Sequence, residues 1–383
     1  MRIAVVHSFY SEASPSGENV TVRIQVDALS RAGHDVVLIS RSTDALSASK
    51  TYSVRAATTA AGIGGDSPES DLERFRPDVI HVHNLFPNWG AKWMAARSDR
   101  IVATMHNYRP VCAKAVMWRD GSDCSDCLKS GSVNALKHRC YRGSVAATLP
   151  LAWSTRGAGR HSPVLRNSKL LVTLNDRAKE VYESIVPDKD IRTIPNFANE
   201  GVGCDVSPGE SFTYVGRLTE EKGFAWLAEH WPRSKQLRIV GDGPLRDRAL
   251  RLASDRPDTF TYVGRVDPEE ARSELASAKA LILPSMWSEG IPTVALEALQ
   301  AGTPILVSDR CASAVSLTHR GAGVIFDVGN GASSLEAAIR AIESDSGIRS
   351  AARALYVSSF SEKSWLSDIE EAYSDVIACV PMP

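Results

Sequence analysis

Two glutamates, Glu289 and Glu297, flank a Pro-Thr pair in the stretch SEGIPTVALEALQAGTPIL at 288–306. Pro292 reads as the first residue of a helix, and Thr293 and Glu297, four apart, then share one helical face. The free N–H groups and dipole of a helix start attract anions. Carboxylates on both sides of such a place suit a ligand that carries hydroxyls beside its anion, as a sugar or a ribose does. Taken singly, Glu297 reads as a helix-surface charge and Glu289 as a loop charge.

Two further segments carry related chemistry. GRLTEEKG at 216–223 places Arg217 and Lys222 in a loop between a strand and a helix, where two cations suit a diphosphate. GDGP at 241–244 repeats the arrangement, with Gly216 and Gly241 allowing close approach of backbone to a ligand and Pro244 suited to a first helical turn. Cations and a helix start around a departing diphosphate would stabilise the developing charge without a catalytic divalent metal.

A third group is Cys112, Cys124, Cys127 and Cys140, spaced C-x₁₁-C-x₂-C-x₁₂-C. The spacing fits a structural Zn²⁺ site, with His138 as a substitute ligand and an iron–sulfur cluster as the weaker reading. Four thiols without metal is the plain alternative.

These residues need elements to hold them. Short β-branched runs alternate with helical stretches, the pattern of parallel sheets covered by helices on both faces. The predicted strands of the first half are RIAVVHS, HDVVLIS, PDVIHVH, RIVATMH, KLLVTLN and IRTIP; those of the second are SFTYVG, LRIVG, FTYVG, ALILPS, PILVSD and GVIFD. Ligands bind outside the carboxyl ends of such strands, which places His7, His83, His106 and Asn175 at one rim. The loop NEGVGCDVSPGES reads as a linker. The expected division is residues 1–203 with a Cys-rich insertion at about 107–142, then 204–360, then a terminal helix in 361–383 packing back toward the first domain. A chain of 383 residues has room for two cores.

Composition excludes some classes. The chain is 43% hydrophobic and 23% charged, as in an ordinary globular protein. Its seven cysteines are an odd number and suit a reducing compartment. The opening MRIAVVHSFY runs straight into a strand, and the apolar stretch SVAATLPLAW is too short to span a bilayer, so a cytoplasmic protein is expected. From Ala91 to Glu180 sixteen Lys and Arg stand against six Asp and Glu, despite a net charge of only −1 overall. That basic half suits an anionic partner. A solvated face and peripheral contact with anionic lipid rank equal there, and nucleic acid ranks well behind.

In this order and spacing, GRLTEEKG, GDGP and SEGIPTVALEALQAGTPILVSD resemble the retaining family-4 glycosyltransferases of the GT-B fold (glycosyl transferases group 1). SPSGEN, RAGHDVVLIS, PDVIHVHN, TMHN and IRTIPNFAN extend the likeness over essentially the whole chain. The resemblance implies an α/β fold with two Rossmann-like, doubly wound parallel-sheet domains facing a central cleft. It implies sugar transfer, with retention of configuration, from a UDP-, GDP- or ADP-sugar to a glycan, lipid-linked or small-molecule acceptor. By the same resemblance Glu297 binds the donor ribose, Arg217 and Lys222 hold the diphosphate, and Glu289 with Gly290 and Ile291 grips the sugar. His106 stands at the reacting face, Gly17 lies on the acceptor side, and Asn196 matches the hinge-side asparagine. Two departures stand out: one glycine, Gly17, where the family shows two, and RCASAVSLTHRG after SD where a glycine-rich turn is usual. A sugar-nucleotide epimerase of the same fold and a zinc-containing nucleic-acid-binding protein are the rival readings.

Overall fold

The structure, a computed structural model, describes residues 1–10, 17–199 and 208–378. The expected boundary at 203/204 falls outside them, as do residues 11–16 of the loop before Gly17. The chain divides into two compact units. The first comprises Met1–Met117, Cys124–Pro195 and the chain from Trp365 onward; the second comprises Trp118–Asp123 and Asn196–Ser364.

All twelve predicted strands form. In the first unit they are β1 (Arg2–Phe9), β2 (Asp35–Ser42), β3 (Val79–Asn84), β4 (Ile101–Met105), β5 (Leu170–Thr173) and β6 (Asp190–Thr193). They make one parallel sheet in the order β2-β1-β3-β4-β5-β6. β4 and β5 are buried throughout, which is why they read as unbroken apolar runs. The order reverses between β1 and β3, so the crevice outside their carboxyl ends is the place topology reserves for a ligand. The helix Glu362–Ala378 buries Trp365, Ile369, Ala372, Tyr373 and Val376, one face at helical spacing. Within the first unit its Tyr373 hydroxyl lies 2.6 Å from His81 Nδ1, and its Asp375 accepts from Arg192 at 2.7 Å.

The second unit holds β7 (Phe212–Val215), β8 (Leu237–Val240), β9 (Phe260–Gly264), β10 (Leu281–Leu283), β11 (Ile305–Ser308) and β12 (Gly323–Phe326). Its parallel order is β9-β8-β7-β10-β11-β12, with the reversal between β7 and β10. GRLTEEKG leaves the end of β7 and the Glu289 loop leaves the end of β10, so both flank the switch point.

Two expected helix starts shift. Pro292 is the cap residue, extended at φ −63° and ψ 129°, and the helix runs Thr293–Gln300. Pro244 lies in a turn before the helix Arg246–Asp255. Proline presets φ equally well for a cap or a turn, so its presence marks the neighbourhood of a start rather than the residue.

Candidate functional site

In the second unit, the sequence-expected residues meet around one ion pair. Lys222 Nζ donates to Glu289 Oε2, and Ser285 Oγ donates to Glu289 Oε1. Glu289 is only 5% exposed. A buried carboxylate is tolerated when it is paired and hydrogen-bonded in this way. Two glycine contacts bring the loops together. Gly223, at φ +74°, packs so closely on the end of β10 that a Cβ would lie 1.7 Å from the Pro284 carbonyl oxygen; Gly241, at φ +130°, would meet the Gly216 carbonyl at 1.9 Å. The GRLTEEKG loop therefore lies directly against the strand that leads to Glu289. Gly216 and Gly241 are in this way accounted for by backbone packing.

Arg217 is exposed at the mouth of the same loop, its carbonyl accepting from the Tyr214 hydroxyl at 2.7 Å. Glu297 is half-buried on the Thr293–Gln300 helix, and burial raises its pKa, with Arg272 opposing. No side chain caps that helix start. Ile291 is buried in the core, Thr293 opens the helix, and Asn196 is buried near the start of the unit.

Residues not read from the sequence complete the site. Ser313 Oγ donates to the Gly290 carbonyl at 3.1 Å, and Ser308 Oγ donates to the Ser285 carbonyl. Cys311 is buried, and burial, with the Glu289 charge adding, lifts its thiol to about 12. The atypical segment RCASAV thus packs around Glu289. Among the described residues, Thr219 Oγ1, Trp287 Nε1 and Ser288 Oγ are buried without hydrogen-bond partners. Buried polar atoms are normally satisfied, so three orphans around one ion pair mark a place built for a polar ligand.

The first unit has its own site at the carboxyl ends of β1, β3 and β4. A cavity of about 240 Å³ is lined by His83, Asn84, His106, Asn107 and Arg109 with Phe86, Trp89 and Leu151. His83 Nδ1 and His106 Nε2 are 2.8 Å apart, so one N–H is shared between two imidazoles. Burial, with neighbouring histidines adding, lowers His106 to about 3 and keeps it neutral. Beside it lies Glu18, next to Gly17 at the start of the helix Gly17–Arg31. Burial pushes the Glu18 carboxyl up to about 7, only partly opposed by Asn84, Arg109 and Asn107. Asn107 Nδ2 donates to it at 3.3 Å. Asn175 serves instead as a helix cap, accepting from the Ala178 N–H at 2.8 Å.

Zinc, expected from the cysteine spacing, finds no support in the structure. Cys112, Cys124, Cys127 and Cys140 are half-buried and are not joined in disulfides. Among the described residues no group of three or more His, Cys, Asp or Glu is placed to hold a metal ion. Burial lifts Cys127 to about 11, with the other three thiols adding, so the four are neighbours. They hang from separate short elements: Cys127 lies within the helix Asp126–Ser130, Cys140 follows the helix Val133–Lys137, and Cys112 packs against the main core of the unit.

Comparison with known proteins accords with this geometry. Residues 15–201 match the description "Glycosyltransferase Family 4" and residues 209–345 match "Glycosyl transferases group 1". TuaC of Bacillus subtilis (strain 168), named for teichuronic acid biosynthesis, is 28% identical over 247 residues, 61% of this chain and 53% of that protein. The chain therefore spans about half the length of that relative. Glycogen synthase of Mycobacterium tuberculosis (strain H37Rv) is 26% identical over 364 residues, 81% of this chain and 78% of that protein. Among solved structures, sucrose-phosphate synthase from Thermosynechococcus elongatus superimposes with a TM-score of 0.68 at 18% identity, covering 99% of this chain and 100% of that one. The Anabaena protein HepE in complex with UDP-glucose gives 0.60 at 14% identity, covering 98% and 100%. Fold, motif order and the two family matches, which between them take in most of the chain, lead to one conclusion: this protein belongs to the family-4, group 1 glycosyltransferases of GT-B fold.

Proposed function

We propose that this protein transfers a hexosyl or related sugar from a nucleoside-diphosphate sugar to a glycan or lipid-linked acceptor with retention of configuration. The observation that carries this reading is the Lys222–Glu289 pair at the switch point of the second unit, beside an uncapped helix start and three orphaned polar atoms. Arg217, Lys222 and the Thr293–Gln300 helix start receive the diphosphate and stabilise the charge that develops as it departs. Glu297 accepts from the ribose hydroxyls, and Glu289 with the backbone of Gly290 and Ile291 holds the sugar. The glycosidic oxygen of the donor leaves with the diphosphate as the acceptor oxygen attacks from the same face, and the departing phosphate takes the acceptor's proton. No catalytic divalent ion enters this scheme. His106, neutral in its pocket, offers a hydrogen bond on the acceptor side, with Glu18 nearby.

Incubation with UDP-, GDP- and ADP-sugars, with nucleoside diphosphate release as the readout, tests the reading. One donor should release its nucleotide in an acceptor-dependent way, unaffected by EDTA; no release from any of them, or full dependence on added Mg²⁺ or Mn²⁺, refutes it. Glu297→Ala should weaken donor binding by about 1.5–3 kcal/mol, the worth of a charged hydrogen bond, with folding intact. Unchanged donor affinity in the folded variant would remove Glu297 from the ribose.

A further inference from the structure

The helix Val145–Ser154 has two apolar faces. One is buried through Thr148, Leu151 and Ala152. The other presents Val145, Leu149 and Trp153, which are 48%, 56% and 54% exposed. Their spacing of four sets them in one stripe along the helix. Two helices packed against it, Tyr52–Ala60 and Val133–Lys137, add the exposed valines Val54 and Val133. Large apolar side chains exposed singly are ordinary, but an aligned row calls for a partner.

The charge around the stripe identifies that partner. From Leu128 to Asn175 the chain contains no Asp or Glu and eight Lys and Arg: Lys129, Lys137, Arg139, Arg142, Arg156, Arg160, Arg166 and Lys169. Arg139, Arg142, Arg156 and Arg160, which bracket the helix, are all exposed. The Arg156 guanidinium lies 4.2 Å over the Trp153 ring, a cation on the aromatic side chain best suited to a bilayer interface. An apolar ridge set among cations, in a stretch of sequence that carries no Asp or Glu, complements a surface that is negatively charged outside and apolar beneath. No helix among the described residues is long and apolar enough to cross a membrane.

We infer that the Val145–Ser154 helix docks this protein on anionic lipid bilayers, with Val145, Leu149 and Trp153 entering the interface and the flanking arginines meeting lipid phosphates. The inner face has a consequence, which rests on the glycosyl-transfer reading. Leu151 and Ser154 line the cavity that holds His106, so the membrane-facing helix is also a wall of the acceptor pocket. An acceptor sugar carried on a lipid would reach that pocket without leaving the bilayer surface.

Co-sedimentation of the full chain with phosphatidylcholine vesicles and with mixed phosphatidylcholine–phosphatidylglycerol vesicles tests the docking. Binding is expected to the mixed vesicles at low salt, with release at high salt. Leu149→Ser with Trp153→Ser should reduce it about tenfold or more, and Arg139→Gln, Arg142→Gln and Arg160→Gln together should abolish the preference for anionic lipid. Because these residues are exposed, thermal unfolding and nucleotide binding should match the unsubstituted protein, which separates a failure of docking from a failure of the donor site. Absence of vesicle binding, equal binding to both vesicle types, or binding unaffected by the Leu149 and Trp153 changes would overturn the inference. So would a concentration-dependent dimer, abolished by those same changes, in a protein that ignores vesicles.

Discussion

Acidification below pH 6.5 should destabilise the first unit steeply, because four histidines are held neutral inside it. His81 is fixed between the Tyr373 hydroxyl at 2.6 Å and Thr104 Oγ1 at 2.7 Å, and its ring lies 4.1 Å from that of His83. Burial lowers His81 to about 3 and His7 to about 4, Asn19 opposing in the latter case. It also drives His83 and His106 down. The unfolded chain takes up protons near pH 6.5 that the folded unit refuses, so stability falls with falling pH from 6.5 toward 3–4. At pH 4 the loss is roughly 3 kcal/mol each for the fully buried His7 and His81. Glu18 runs the other way. Its carboxyl, raised to about 7, keeps its proton in the folded unit between 4.5 and 7, so its contribution grows on acidification and offsets roughly 3 kcal/mol. A net loss of about 3 kcal/mol remains before His83 and His106 add theirs, a large share of a domain's stability of about 5–15 kcal/mol. Urea unfolding followed from pH 8 to pH 4 measures it. His81→Gln, which can still bond Tyr373 and Thr104 but does not titrate, should flatten the curve; a stability independent of pH over that range would contradict the neutral-histidine arrangement.

The histidines also show what the sequence makes legible. That several strands of the first half end in His or Asn was visible, because parallel strands buried on both faces stand out as apolar runs and their ends follow from topology. That His83 and His106 share a proton was not visible, since the pairing joins neighbouring strands through a ring geometry with no linear signature. Glu18 stands next to Gly17 in the quoted loop and was passed over. What makes it unusual, burial against Asn84, Asn107 and Arg109, comes from segments far along the chain. In the second unit the motif residues Lys222 and Glu289 were legible, but Ser285, Cys311 and Ser313 were not, because they act by packing around Glu289 from β10 and from the loop after β11. The cysteine spacing, by contrast, was legible as a neighbourhood, since all three other thiols act on Cys127; whether such a group holds a metal depends on side-chain geometry that spacing along the chain does not carry.

The Lys222–Glu289 pair is where a single substitution should have its greatest effect on chemistry. Lys222→Ala removes a cation from the proposed diphosphate site and takes the ion pair from a buried carboxylate that Ser285 also holds. Truncating one partner of a buried pair is strongly destabilising because the other charge is left uncompensated. With the Lys222 side chain 28% exposed, water moderates the cost to about 2–3 kcal/mol. Turnover should fall roughly 10²–10³-fold, as when one preorganised electrostatic group is lost at a reacting centre. The two effects can be separated. Adding Glu289→Gln to Lys222→Ala removes the stranded charge, so the double variant should recover most of the stability. If Lys222 served only to neutralise Glu289, affinity for the nucleoside diphosphate product would recover as well. If it meets the leaving diphosphate, that affinity stays weakened, whereas turnover falls in either case because Glu289 is proposed to hold the sugar. Chemical denaturation and nucleoside diphosphate binding on Lys222→Ala, Glu289→Gln and the double variant decide between these outcomes. Recovery of both stability and product affinity in the double variant would reduce Lys222 to a structural partner and leave Arg217 and the helix start as the phosphate-binding groups.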